Sequence, residues 1–138
     1  MNKKCVEKLS HSKITVEENG MKVTFLNPNR YEVEKIHIDG CLEKTGSGQG
    51  RCDYLLKDHN AKEYFIELKG SNVSKALEQI EASIKRWSDK DKKPKKEALV
   101  IASRYPRNDT KINNLKKQFR AKYATEVSIK TRQMEKKL

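Results

Sequence analysis

Long apolar runs are missing from this chain. None approaches the roughly 20 residues needed to span a membrane, and the segment after Met1 is polar, so neither a membrane association nor a signal peptide is expected. Cysteine is scarce. Cys5, Cys41 and Cys52 leave an odd count and form no CxxC pair, which predicts neither a disulfide framework nor a structural zinc site and fits a reducing cytoplasm. His11, His37 and His59 share no metal spacing and read as surface or turn residues. Aromatics make up 7%, too few to suggest a stacking platform for single-stranded nucleic acid. The one Gly-rich run, TGSGQG at 45–50, leads into a strand rather than a helix, so nucleotide binding is disfavoured. No Ser/His/Asp set can be nominated from spacing.

Charge is what the chain has in abundance. Charged residues reach 36% and hydrophobic ones 35% of 138 residues, with a net charge of +12. The apolar residues fall in compact runs, which predicts one folded domain over 1–138 rather than disorder. Residues 1–84 carry 13 Lys/Arg against 13 Asp/Glu, and residues 85–138 carry 18 against 6. The whole excess therefore sits in the basic C-terminal portion. Such a footprint suits a nucleic-acid partner, although a lysine-rich solvated surface would look the same.

The periodicities predict an α/β domain. Residues 2–9 suggest a short helical turn. KITVEENGMKVTFLN (13–27) alternates on both sides of Asn19-Gly20 and predicts a hairpin. Alternation in 31–44, 51–57 and 63–70 predicts three strands. Val73, Leu77, Ile80, Ile84 and Trp87 predict an amphipathic helix over 72–87, capped by Ser71 or Asn72. EALVIAS (97–103) reads as a buried strand, 110–123 as a second helix capped by Asp109 or Thr110, and 126–132 as a last strand before a basic tail. The expected architecture is a mixed β-sheet with helical connections over at least one face.

Within RCDYLLKDHNAKEYFIELKG (51–70), two strands each carry an acid. A turn near Asn60-Ala61 makes paired positions sum to 120 or 121, so Asp53 lies opposite Glu67 or Leu68. The two acids are then about 5 Å apart at Cβ. Like charges there are destabilising, so a cation is required between them: Lys69, on the same face as Glu67, or a divalent metal. Two carboxylates suit Mg²⁺ (or Mn²⁺), with a lysine to neutralise charge developing on phosphorus. The tripeptide [DE]-x-K alone is uninformative, because it recurs at Asp91-Lys93, Asp109-Lys111 and Glu135-Lys137. Only Glu67-Leu68-Lys69 ends an apolar strand, faces a second acid and precedes a helix. The structural alternative is an ordinary buried Glu–Lys pair.

Asp53, a gap, then Glu67-Leu68-Lys69 and a helix resembles the PD-(D/E)xK phosphodiesterase superfamily, over about residues 31–104. The resemblance implies a restriction-endonuclease-like sheet with flanking helices, here preceded by the N-terminal β-hairpin. It implies Asp53, Glu67 and the backbone carbonyl of Leu68 as ligands of Mg²⁺, with Lys69 assisting the attacking water. Gln79, on the following helix, matches a glutamine that many members point into the site; it is equally readable as a polar residue beside the apolar stripe. Cys52 replaces the name-giving proline, and 1–30 lacks the usual N-terminal helix. Asp39 is a further metal-ligand candidate if position 43 pairs with 53, or else it caps a bend at Gly40. The expected activity is Mg²⁺-dependent hydrolysis of DNA in prokaryotic repair, recombination or defence, with RNA equally compatible. Arg86, Lys92, Lys93, Lys95, Lys96, Arg104 and Arg107 are the expected phosphate contacts. A homodimer or partner protein would supply specificity. The alternative is a non-catalytic nucleic-acid-binding or protein-interaction module on the same fold.

Overall fold

The computed structural model describes residues 2–44, 50–68, 71–105 and 109–138. A 3-10 turn at Lys3–Cys5 leads into β1 (Val6–Leu9). β2 (Lys13–Glu18) and β3 (Met21–Leu26) form the predicted hairpin, turning on Asn19 and Gly20 at φ 53° and 76°. Both are left-handed values, which an Asn-Gly pair adopts at low cost. Then come β4 (Val33–His37), β5 (Tyr54–Lys57), β6 (Glu63–Leu68), α1 (Val73–Trp87), β7 (Lys96–Ala102), α2 (Thr110–Tyr123), β8 (Thr125–Thr131) and β9 (Gln133–Lys137). Asn72 caps α1 by accepting from Lys75 N, and Asp109 caps α2 by accepting from the amides of Lys111 and Ile112.

Six strands form one sheet in the order β1-β4-β5-β6-β7-β8. β1, β4, β5 and β6 run antiparallel to their neighbours, while β6, β7 and β8 are parallel and joined through α1 and α2. The sheet is therefore mixed, with β6 in its interior and all six of its residues buried. Period-2 alternation sends Leu55, Phe65, Ala98 and Val100 to one face, where Leu77, Ile80 and Ile84 of α1 and Ile112 and Phe119 of α2 cover them. Leu56, Tyr64, Ile66, Leu68, Leu99 and Ile101 point the other way, onto a second sheet of order β2-β3-β9. Its Ile14, Val16, Val23, Phe25 and Met134 complete that layer, with Phe25 edge-on to Tyr64 at 5.3 Å. The result is three layers: helices, central sheet, small sheet.

Four expectations are corrected. Residues 2–9 hold a single tight turn and then a strand, because β1 finds a partner in β4 (Val6↔Ile36). The basic tail is β9, parallel to β3 (Val23↔Met134); its single buried apolar residue gave no local signal. The strand over 31–44 ends at His37, since Gly40 at φ 89° turns the chain. Finally, Cys5 and Cys41 are joined in a disulfide and only Cys52 is free. The odd count concealed one pair and one leftover, because 36 residues separate the partners and only the fold brings them together.

Glu97 of β7 ties the two sheets together. It accepts from Lys136 of β9 at 2.7 Å and from Lys62 at 2.6 Å. Burial pushes its carboxyl up, but the two lysines outweigh that and hold it below the ordinary value of 4.5. A depressed folded value means the stabilisation is fully present above the ordinary carboxylate range and is lost as pH falls through the folded one. Glu97→Gln is accordingly expected to lower stability at neutral pH, with the gap to wild type closing in acid. Denaturant melts at neutral pH and below the carboxylate range check this; a gap independent of pH would refute it.

Candidate functional site

The site forms at the β5–β6 hairpin. Asp58 shapes its turn by accepting from the amides of Asn60 and Lys62, with Ala61 left-handed at φ 64°. The resulting register, Tyr54↔Ile66, is the first of the two predicted ones, and places Asp53 next to Glu67. Asp53 lies just before β5 and is 7% exposed. Its amide donates to Ile66 O (3.1 Å) and its carbonyl accepts from Ile38 N (2.9 Å). Its carboxylate Oδ2 accepts from Leu68 N at 2.7 Å, so the backbone that presents Glu67 also fixes the Asp53 side chain. Glu67 is fully buried and stands on the helix face with Phe65.

Gln79 reaches this pair from the second turn of α1. Oriented to satisfy its neighbours, its amide nitrogen donates to Glu67 Oε2 (3.2 Å) and to Arg51 O (2.5 Å). One turn further on, Ser83 Oγ accepts from Cys52 N at 2.8 Å. A Cβ on Gly50 would sit 3.4 Å from that of Ala82, and Arg86 donates to Gly50 O. One polar stripe of α1 (Gln79, Ser83, Arg86) thus grips residues 50–52 and positions Asp53. Sequence reasoning missed Ser83, for which no local signal exists. Cys52, between the stripe and the acids, is an inert thiol: burial above all, and then the Glu67 and Asp53 carboxylates, push its pKa far up, although Ser83 opposes them.

Of the other nominated residues, Glu43 does not pair with Asp53 as the 43–53 register required, and Asp39 meets Asp53 through the backbone, its amide donating to Asp53 O at 3.3 Å. β4 and β5 pair as His37↔Tyr54, so Ile38, not Glu43, meets Asp53. Residues 38–43 curl into a turn in which Asp39 accepts from Arg51 Nε at 2.7 Å, matching the alternative of an acid at a bend. Glu43 accepts from Arg86 (2.8 Å) and from Trp87 Nε1 (2.8 Å). Arg86 therefore serves as a tie between α1 and this turn. Lys69 and Arg107 lie outside the described residues. Among the described residues, no cluster of three or more His, Cys, Asp and Glu side chains is placed to hold a metal. The Asp53 and Glu67 carboxylates are hard oxygen donors of the kind that suit Mg²⁺, an ion that keeps several waters and takes further oxygens from a phosphate.

The basic residues divide between the two ends of the sheet. Because β6 and β7 are parallel, with Glu63↔Lys96 and Leu68↔Ile101, Lys92, Lys93, Lys95 and Lys96 cluster around the end of the sheet marked by Glu63. That is about 13 Å along the strand from Glu67. Arg104, which follows β7, lies at the Glu67 end. Glu63, a second fully buried acid in β6, shows what a structural carboxylate looks like here: Ser88 Oγ (2.6 Å) and Asp89 N (3.0 Å) donate to it at the end of α1. A cavity of about 550 Å³ lies on the solvent face of the small sheet, lined by Lys13, Lys22 and Lys130 among others, and away from the acids.

No family model, curated protein or solved structure matches the chain. Among the described residues the structure defines an α/β protein with a mixed sheet and two α-helices on one face of it. None of the helices among the described residues is long and apolar enough to cross a membrane.

Proposed function

We propose that the protein is a divalent-metal-dependent phosphodiesterase of the restriction-endonuclease-like class that cleaves DNA. The supporting observation is the meeting of Asp53, Glu67 and Gln79 at one end of the sheet, on a hairpin followed by a helix and a parallel strand. When bound, Mg²⁺ would supply electrophilic activation of the phosphodiester and lower the pKa of a water. Asp53 and Glu67 hold the ion, with the Leu68 amide fixing one carboxylate and Gln79 orienting the other. Lys69 neutralises the charge that develops on phosphorus. With α1 over one sheet face and the small sheet over the other, substrate approaches from the end beyond Leu68, where Arg104 is available to a flanking phosphate. The lysines of 92–96 serve a more distant part of the same backbone.

The test is incubation of duplex, single-stranded and branched DNA with the protein in Mg²⁺, Mn²⁺ or EDTA, beside Lys69→Ala. Cleavage that requires metal and disappears in the variant, with DNA binding retained, is the expected result. Salt-sensitive binding without cleavage under either metal would replace this reading with the non-catalytic module.

A further inference from the structure

The two edges of the six-stranded sheet differ. β1 is four residues long and is preceded by a turn that the Cys5–Cys41 disulfide holds down. β8 is seven residues long and pairs with β7 over its whole length, from Lys96↔Thr125 to Ala102↔Thr131. Among the described residues no strand pairs with its outer side. Proteins usually blunt such an edge by shortness, proline, a bulge, an inward-pointing charge or exposed charges, and of these β8 has the last, in Glu126 and Lys130. Thr125-Glu126-Val127-Ser128-Ile129-Lys130-Thr131 has no proline or glycine and its ladder is unbroken. Val127 and Ile129 remain only partly buried under α2.

The order of side chains identifies what completes this edge. Read outward from Ser128, the strand is symmetric in size and opposite in charge: Val127 against Ile129, Glu126 against Lys130, Thr125 against Thr131. An antiparallel copy centred on Ser128 would set Glu126 opposite Lys130 twice, Val127 opposite Ile129 twice, and Thr125 opposite Thr131 twice. Directly opposed residues share a face, so each charge meets its complement and each apolar residue an apolar one. A shift of the centre by one residue loses every one of these matches. Glu126 is already bonded to Arg120, but that pair is 62% and 63% exposed and contributes little.

We propose that β8 is a homodimer interface, in which two copies pair antiparallel about a two-fold axis at Ser128 to make one twelve-stranded sheet. Such an interface is isologous and closes at two, because each copy offers the other the same β8 edge and the pairing uses it up. The axis stands normal to the sheet, so the helices of both copies cover the same face. The two Glu67 strands then lie about 24 Å apart across the sheet, five spacings of ~4.8 Å, with the Leu68 ends of the two copies pointing in opposite directions. The dimer itself does not depend on the activity proposed above.

Sedimentation equilibrium from micromolar to submillimolar protein tests this, at moderate salt so that repulsion between two basic chains is screened. A monomer–dimer equilibrium is expected. Glu126→Lys alone and Lys130→Glu alone each place like charges opposite one another and should weaken it about tenfold, while the double variant Glu126→Lys/Lys130→Glu should restore it to about twofold of wild type. Circular dichroism melts confirm that each single variant is folded. A monomer at all concentrations overturns the proposal, and so does a dimer indifferent to the single charge reversals.

Discussion

Glu67→Gln is expected to reduce metal-dependent cleavage by about a thousandfold or more while leaving the fold intact. The substitution keeps the shape of the side chain and its contact with Gln79, and removes only the charge. At a site of two carboxylates that charge is half of the protein's anionic contribution to holding a cation, and oxygen ligands without charge bind Mg²⁺ poorly. The loss is measured as kcat/KM on the preferred DNA. An independent readout comes from thermal melts: wild type should gain stability with added Mg²⁺, about 1.4 kcal/mol at tenfold over its Kd, and Glu67→Gln should gain none. Gln79→Ala should fall between them, with an effect of about 10- to 100-fold, because Gln79 positions Glu67 rather than touching substrate. If Glu67→Gln cleaved at the wild-type rate, or responded to Mg²⁺ as wild type does, Glu67 would be a structural acid like Glu63.

Loss of the Cys5–Cys41 bond is expected to destabilise the protein by about 2–4 kcal/mol, or on the order of 10 °C in Tm for a chain of this size. The bond closes a separation of 36 residues, so it removes substantial loop-closure entropy from the unfolded chain. It also anchors a turn on which the site leans. Cys41 sits between Asp39, bonded to Arg51, and Glu43, bonded to Arg86 and Trp87. Reduction should therefore lower Tm and loosen residues 50–52 together, whereas Cys52, buried and with its pKa raised, should resist alkylation in the folded state. Melts with and without reductant, beside a Cys5→Ser/Cys41→Ser double variant, give the comparison. An unchanged Tm in both would show that the turn is held by its polar contacts alone.

Much of the fold is legible locally. The Asn19-Gly20 turn, the period-2 strands, the 3.6-residue stripe of α1 and the caps Asn72 and Asp109 each carry their own physical signal within a few residues, and the structure has all of them. The acid pair is legible for the same reason, since a short hairpin fixes its register from its turn. Tertiary structure alone decided the rest. The partner of Cys5, the capture of the C-terminal strand by β3, and the contacts of Gln79, Ser83 and Arg86 with residues 50–52 all join positions far apart in sequence. None has a local preference strong enough to announce it. The placement of the basic residues belongs with these: composition put the excess charge in the second half of the chain, but the parallel pairing of β6 with β7 sent the lysines of 92–96 and Arg104 to opposite ends of the sheet.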